Sequence, residues 1–190
     1  MTERAELSFE LNEEMLGLIA KEFSIQQLVS GFAQTISGKK SDEIENIARE
    51  IFTRYGVDWI RKSLQLGEEY PDRTYEVLRE AIDSTGGGLW FPLLPQRFLE
   101  IAYLSTQDME FLPVIENNPR RLVYKIDGCK MFQTLKEECG GEVANMLPCR
   151  HACLSACRTL FNDLDYPEVL IEMEAFSNKD GYCQFVVTKA

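Results

Sequence analysis

Between Phe9 and Phe23 the apolar residues Leu11, Met15, Leu16, Ile19 and Ala20 recur at helical spacing, so the chain opens on an amphipathic helix. Ser24 followed by Gln27 makes a capping-box pattern and starts a second helix, which ends near Gly38. Lys39-Lys40 gives a polar turn. From Asp42, Ile44, Ile47, Ile51, Tyr55, Trp59 and Ile60 mark a long helix with Gly56 as its weak point. Pro71-Asp72 opens a fourth helix carrying Tyr75, Leu78 and Ile82, and Gly86-Gly87-Gly88 stops it. The apolar run from Leu89 to Pro95 is broken by two prolines, which predicts an ordered connector or pocket wall. A short helix from Gln96 to about Leu104 follows.

At Asn117-Asn118-Pro119 a strong turn signal marks a change of pattern. Leu122 to Ile126 reads as a strand, Lys130 to Cys139 as a helix closed by Gly140-Gly141, and Pro148 to Leu164 as another helix. From Glu168 the chain alternates, placing Val169, Ile171, Met173 and Ala175 on one strand face. Asn178-Lys-Asp-Gly181 then turns it back, with Cys183, Phe185 and Val187 sharing a face of the last strand. The expected fold class is α+β: a helical N-terminal part packed on a small antiparallel sheet with helices on one face. Residues 1–116 form the helical region and 117–190 the cysteine-rich region, and the pattern leaves open whether the two are one continuous domain.

Composition narrows the class. At 190 residues, 45% apolar and 27% charged, the chain is long enough and apolar enough to bury a core. The formal charge of -11 sits in the first part: residues 1–116 carry 21 acidic and 11 basic side chains, the remainder 10 and 9. Such a surface repels phosphates, which argues against general nucleic-acid binding and is most simply a solubility device. The opening Met-Thr-Glu-Arg-Ala-Glu lacks the apolar segment of a secretory signal, and no run approaches membrane-spanning length. A cytoplasmic protein is expected, where thiols stay reduced and clustered cysteines point to metal binding or reactivity rather than disulfides.

All six cysteines lie in the last third, at Cys129, Cys139, Cys149, Cys153, Cys157 and Cys183. On a helix Cys149, Cys153 and Cys157 step round by about 40° each and form one stripe. Neighbours are about 6 Å apart and the outer pair about 12 Å, so a straight helix cannot bring all three sulfurs to one ion. One adjacent pair with thiols from elsewhere can, and Cys129 and Cys183 are the natural donors. Zinc or an iron–sulfur cluster would suit such thiols, although the spacing departs from common motifs for either. Packing of free cysteines as small apolar residues is the competing account. His151, about 200° round the helix from Cys149, belongs on another face. Cys149, at a helix start beside Arg150, is expected to have a lowered pKa and some reactivity.

Trp90, Phe91 and Tyr103 are candidates to line an apolar ligand pocket, with Arg97 or Arg121 receiving a carboxylate; core packing is the alternative for the aromatics. Gly86-Gly87-Gly88 lacks the preceding strand and the Gly-Lys-Ser/Thr ending of a phosphate loop. Glu172 and Glu174 share a strand face, which reads most simply as an exposed one.

From Leu122 onward the order of elements and the ending Asp180-Gly-Tyr-Cys-Gln-Phe185 resemble the 4-vinyl reductase-like small-molecule-binding domain and its relative in aminothiazoline carboxylate hydrolases. The resemblance covers roughly 65 residues. It implies a cavity for a hydrophobic or aromatic compound. In some sensor members it also implies zinc held by a Glu-x-x-Cys on the penultimate strand together with the late cysteine. Here the matching stretch is Glu172-Met-Glu-Ala175, followed by Cys183, so one thiol is missing unless Cys153 or Cys157 replaces it.

The leading expectation is a cytosolic small-molecule or metal-binding protein whose cysteine-rich site uses Cys129, Cys149, Cys153, Cys157 and Cys183. A hydrolase or reductase acting on a small cyclic compound is the enzyme alternative, with Cys149 or Cys183 as nucleophile or ligand. A helical assembly protein with incidental thiols, a homodimer among its forms, is the third.

Overall fold

Two side-chain caps set the start of the chain. Asn12 accepts the Met15 N–H at 3.1 Å and opens α1 (Glu13–Glu22); Ser24 accepts the Gln27 N–H at 3.4 Å and opens α2 (Ile25–Ile36). The computed structural model describes residues 9–85, 91–166, 168–179 and 181–190. The long helix α3 (Ser41–Glu69) and α4 (Arg73–Thr85) complete the first helical run. After α5 (Leu93–Thr106) the chain alternates between sheet and helix: β1 (Val114–Asn118), β2 (Arg121–Asp127), α6 (Lys130–Asn145), α7 (Arg150–Asp163), β3 (Val169–Ser177) and β4 (Tyr182–Lys189). The four strands make one antiparallel sheet in the order β1-β2-β4-β3, so the fold is α+β.

The inner sheet face is built by register. Leu122 pairs Val187, Tyr124 pairs Phe185 and Ile126 pairs Cys183, and all six side chains are buried. A bulge in β3 between Met173 and Ala175 shifts the phase of that strand, and beyond it Phe176 packs edge-on against Phe132 of α6.

Two apolar clusters share the helices α3 and α7. One joins α1, α5, Trp59 of α3, Cys157 and Phe161 of α7, and the inner sheet face; the other joins α2, the front of α3, α6, and Cys149 and Ala152 at the head of α7. Both contain residues from either side of position 117, and β1 runs across that position.

Three local expectations change. Leu93-Leu94-Pro95 is the first turn of α5, because a proline there forfeits no intrahelical hydrogen bond. The helix α6 does not close at Gly140 but kinks there, with φ of 84°, and runs on to Asn145. Asn117-Asn118-Pro119 belongs to the β1–β2 hairpin, where the Asn118 side chain accepts the N–H groups of Arg120 and Arg121. Gly86-Gly87-Gly88 and Trp90 lie outside the described residues. Among the described residues, no helix is long and apolar enough to cross a membrane.

Candidate functional site

Cys149 caps the start of α7 and Cys153 follows one turn later on the same stripe; Cys129 caps α6, and Cys183 lies on β4. These four side chains line one cavity of about 10 Å³. Ile126, Leu147, Arg150, Met173 and Phe185 complete its wall. Only sulfur, hydrocarbon and one guanidinium-bearing side chain border the space, whose volume is that of about one water molecule.

Local structure explains the convergence. The Ile126–Cys183 pairing places the last strand beside the end of β2, and the Gly128 N–H donates to the Gly181 carbonyl at 2.8 Å. That bond holds the turn carrying Cys129 against the β3–β4 hairpin. The Lys130 N–H next to it donates to the Gln107 side chain at 2.8 Å. Between α6 and α7, Leu147 adopts φ of 56°, in the left-handed region that costs a branched residue on the order of 1 kcal/mol or more. The strained turn delivers Cys149 to the cavity.

Cys157 lies one turn deeper on the stripe, fully buried against Tyr124, and does not line the cavity. Cys139 of α6 is half-buried beside Glu138, packed against the second apolar cluster and away from the cavity. Among the described residues no group of three or more His, Cys, Asp or Glu side chains is arranged to hold a metal ion.

The expected acidity of Cys149 is reversed. Burial pushes its thiol well up, and the neighbouring thiols of Cys129, Cys153 and Cys183 add to the effect. Arg150 does not compensate: its guanidinium donates to the Met146 and Leu147 carbonyls and, at 2.6 Å, to Glu45 of α3. Burial likewise raises Cys129 and Cys153, and pushes Cys157 and Cys183 up to about 12. At neutral pH the cavity holds protonated thiols. His151 sits away from them, with Nε2 3.0 Å from Glu45, and burial lowers its pKa.

Trp90 lies outside the described residues, and the other aromatic and arginine candidates each have packing or ion-pair partners of their own. Phe91 is buried against Phe161 and Tyr166, and Tyr103 against Trp59 and Tyr124. Arg97 is wholly buried and already satisfied by Asp72 at 2.5 Å and the carbonyls of Gly67 and Tyr70 at 2.9 and 3.1 Å. Sealed in the core and held by these three partners, it does not face a ligand site among the described residues. Arg121 pairs Glu116 and Glu174 at 2.7 and 3.1 Å near the surface. Glu172 is exposed, outside the cavity wall.

Sequence reasoning missed Arg150 and Met173 as cavity residues. Met173 was legible as an inward position of β3, but without its partner strand nothing set it beside Cys183. No family model matches the chain, and no curated protein is similar to it.

Proposed function

We propose that this is a metal-binding protein that holds one soft ion, zinc in the first instance, among Cys129, Cys149, Cys153 and Cys183. The observation that carries this reading is the convergence of four thiols from α6, α7 and β4 on one small cavity. A wall without carboxylate or histidine, whose four thiols and Met173 thioether sit beside hydrocarbon and the Arg150 side chain, suits thiophilic ions over calcium or magnesium. The volume favours a single ion over an iron–sulfur cluster. It also favours an ion over an aromatic compound, since small-molecule pockets run to about 300 Å³ or more. Loading requires that the cysteine side chains turn toward one another and lose their protons. A ligand set containing Cys183 agrees with the resemblance to 4-vinyl reductase-like domains, with Cys149 and Cys153 replacing the thiol absent from Glu172-Met-Glu-Ala175.

The test is purification without oxygen, followed by elemental analysis and an absorption spectrum. Near-stoichiometric zinc with no visible absorption is expected. Broad visible absorption with iron would replace the single ion by a cluster. Metal-free protein that takes up neither zinc nor cobalt would overturn the reading.

A further inference from the structure

Two buried hydroxyls behind the thiol cavity lack a well-placed partner among the described residues. The Oη atoms of Tyr103 and Tyr124 are sealed from solvent, and neither makes a well-formed hydrogen bond. Buried polar groups are nearly always satisfied, so each orphan marks a missing acceptor. Both rings are held firmly. Tyr103 packs edge-on against Trp59 with centroids 5.2 Å apart and lies 5.9 Å from Tyr124, which stacks on Phe185 at 5.4 Å.

The Tyr103 hydroxyl lies against the Cys153 thiol and the Tyr124 hydroxyl, and that of Tyr124 also against Cys157, close enough for these groups to alter one another's ionisation. A neutral thiol is a weak acceptor, so a phenol facing one stays all but unpaired. A thiolate is a charged acceptor and takes the same O–H in a strong bond. The orphaned donors therefore fit a fold built around deprotonated sulfur.

We propose that Tyr103 is a positioning residue of the metal site: when Cys153 binds an ion as thiolate, the Tyr103 hydroxyl donates to its sulfur and fixes the rotamer that faces the cavity. The inference rests on the metal reading above. The Cys153 proton leaves to solvent as the ion enters, while the phenol keeps its own, because burial holds both tyrosines far above the range in which they ionise. Tyr124, on β2, faces Cys157, a thiol outside the cavity wall, and packs against the Tyr103 ring.

Anaerobic titration with cobalt(II) tests this, because sulfur-to-cobalt charge-transfer bands follow the donor strength of each bound thiolate. Tyr103→Phe keeps the ring and deletes the donor. Its cobalt affinity is expected to fall by about 10- to 100-fold, the usual cost of removing an outer-layer partner, with the bands moving to lower energy. Tyr124→Phe should leave the bands in place. Unchanged bands and affinity in Tyr103→Phe would make Tyr103 a packing residue and leave the metal site standing. Absence of charge-transfer bands in the unmodified protein would remove the metal reading and this inference together. Should Tyr103→Phe fail to fold, the tyrosine Raman doublet of the unmodified protein reads the same bond. It must shift toward a donating phenol on cobalt loading, and an unchanged doublet overturns the proposal.

Discussion

Gly56 of α3 and Ala152 of α7 touch backbone to backbone: a Cβ added to Gly56 would lie 2.2 Å from the Ala152 carbonyl oxygen. The Ser155 hydroxyl would be 2.3 Å away, and it already bridges the carbonyls of Thr53 and Ala152 at 3.1 Å each. Backbone cannot give way as a flexible side chain can. The residue that reads as a weak point of α3 is thus what lets α7 approach, and the depth of Cys149 and Cys153 depends on that approach.

Gly56→Ala should push α7 outward and destabilise the fold by about 1–3 kcal/mol, the usual range for overpacking. It should also speed alkylation of Cys149 and Cys153 under conditions where the protein stays folded. Gly31→Ala is the control: it lies in α2 with nothing within 4 Å of an added Cβ, and should stabilise by about 0.5–1 kcal/mol through helix propensity. Urea unfolding and mass-resolved thiol labelling measure both. Equal labelling in Gly56→Ala and the parent protein would separate the crossing from the cavity.

The buried pair Arg97–Asp72 links α5 to the start of α4. Asp72 also caps α4 by accepting the Tyr75 N–H at 2.9 Å, and the Arg97 guanidinium lies 4.3 Å from the Tyr75 ring centroid. Asp72→Ala removes a cap and strands a buried cation, so a loss of about 3–5 kcal/mol is expected. Arg97→Met combined with Asp72→Asn should cost clearly less than the sum of the single changes, because neither charge is then left alone. Additive losses in denaturant melts would show that the two act independently.

Much of this architecture was readable from local pattern, and the reasons for the rest are physical. The helix cap at Ser24, and the alternation that buries Cys183, Phe185 and Val187, are properties of a few neighbouring residues. The stripe of Cys149, Cys153 and Cys157 follows from helical period alone. The burial of Arg97 does not, because its partner Asp72 is 25 positions away and charged residues on a helix usually face water. Nor could the acidity of Cys149 be read locally, since it is burial that reverses it, with the nearby thiols of Cys129, Cys153 and Cys183 adding to the effect. The short edge strand β1 carries too little alternation to announce itself.

Glu100 introduces a pH dependence of the opposite sign to most carboxylates. It is buried on α5, accepts a hydrogen bond from Gln96 at 2.7 Å, and burial raises its pKa to about 7. The native state therefore binds a proton that the unfolded chain releases near the ordinary value. Its contribution is intact at acid pH and is lost as pH rises toward and through 7. Glu100→Gln, which keeps the acceptor and removes the charge, should stabilise the protein by about 1–3 kcal/mol at pH 8 and by little at pH 4.5. Paired urea titrations at the two pH values decide it, and a pH-independent difference would exclude Glu100 as the titrating group.

Ion uptake by the thiol cavity must be coupled to proton release, because the sulfurs start protonated. Burial lifts Cys129, Cys149, Cys153 and Cys183 above the usual thiol range, Cys183 to about 12. In the metal-free protein this costs stability as pH rises above the unfolded thiol value and toward 12, since the unfolded chain then carries fewer protons than the native one. Zinc reverses that preference by binding only thiolates. Zinc added anaerobically at pH 7 to lightly buffered protein should thus release about two to four protons per ion, and apparent affinity should climb steeply between pH 6 and 8. Cys183→Ser should lower the proton count by about one, whereas Cys139→Ser, away from the cavity, should leave it unchanged. A pH electrode and a competing chelator measure both quantities. Zinc bound without proton release would place it on exposed carboxylates of the acidic surface, far from the sulfurs.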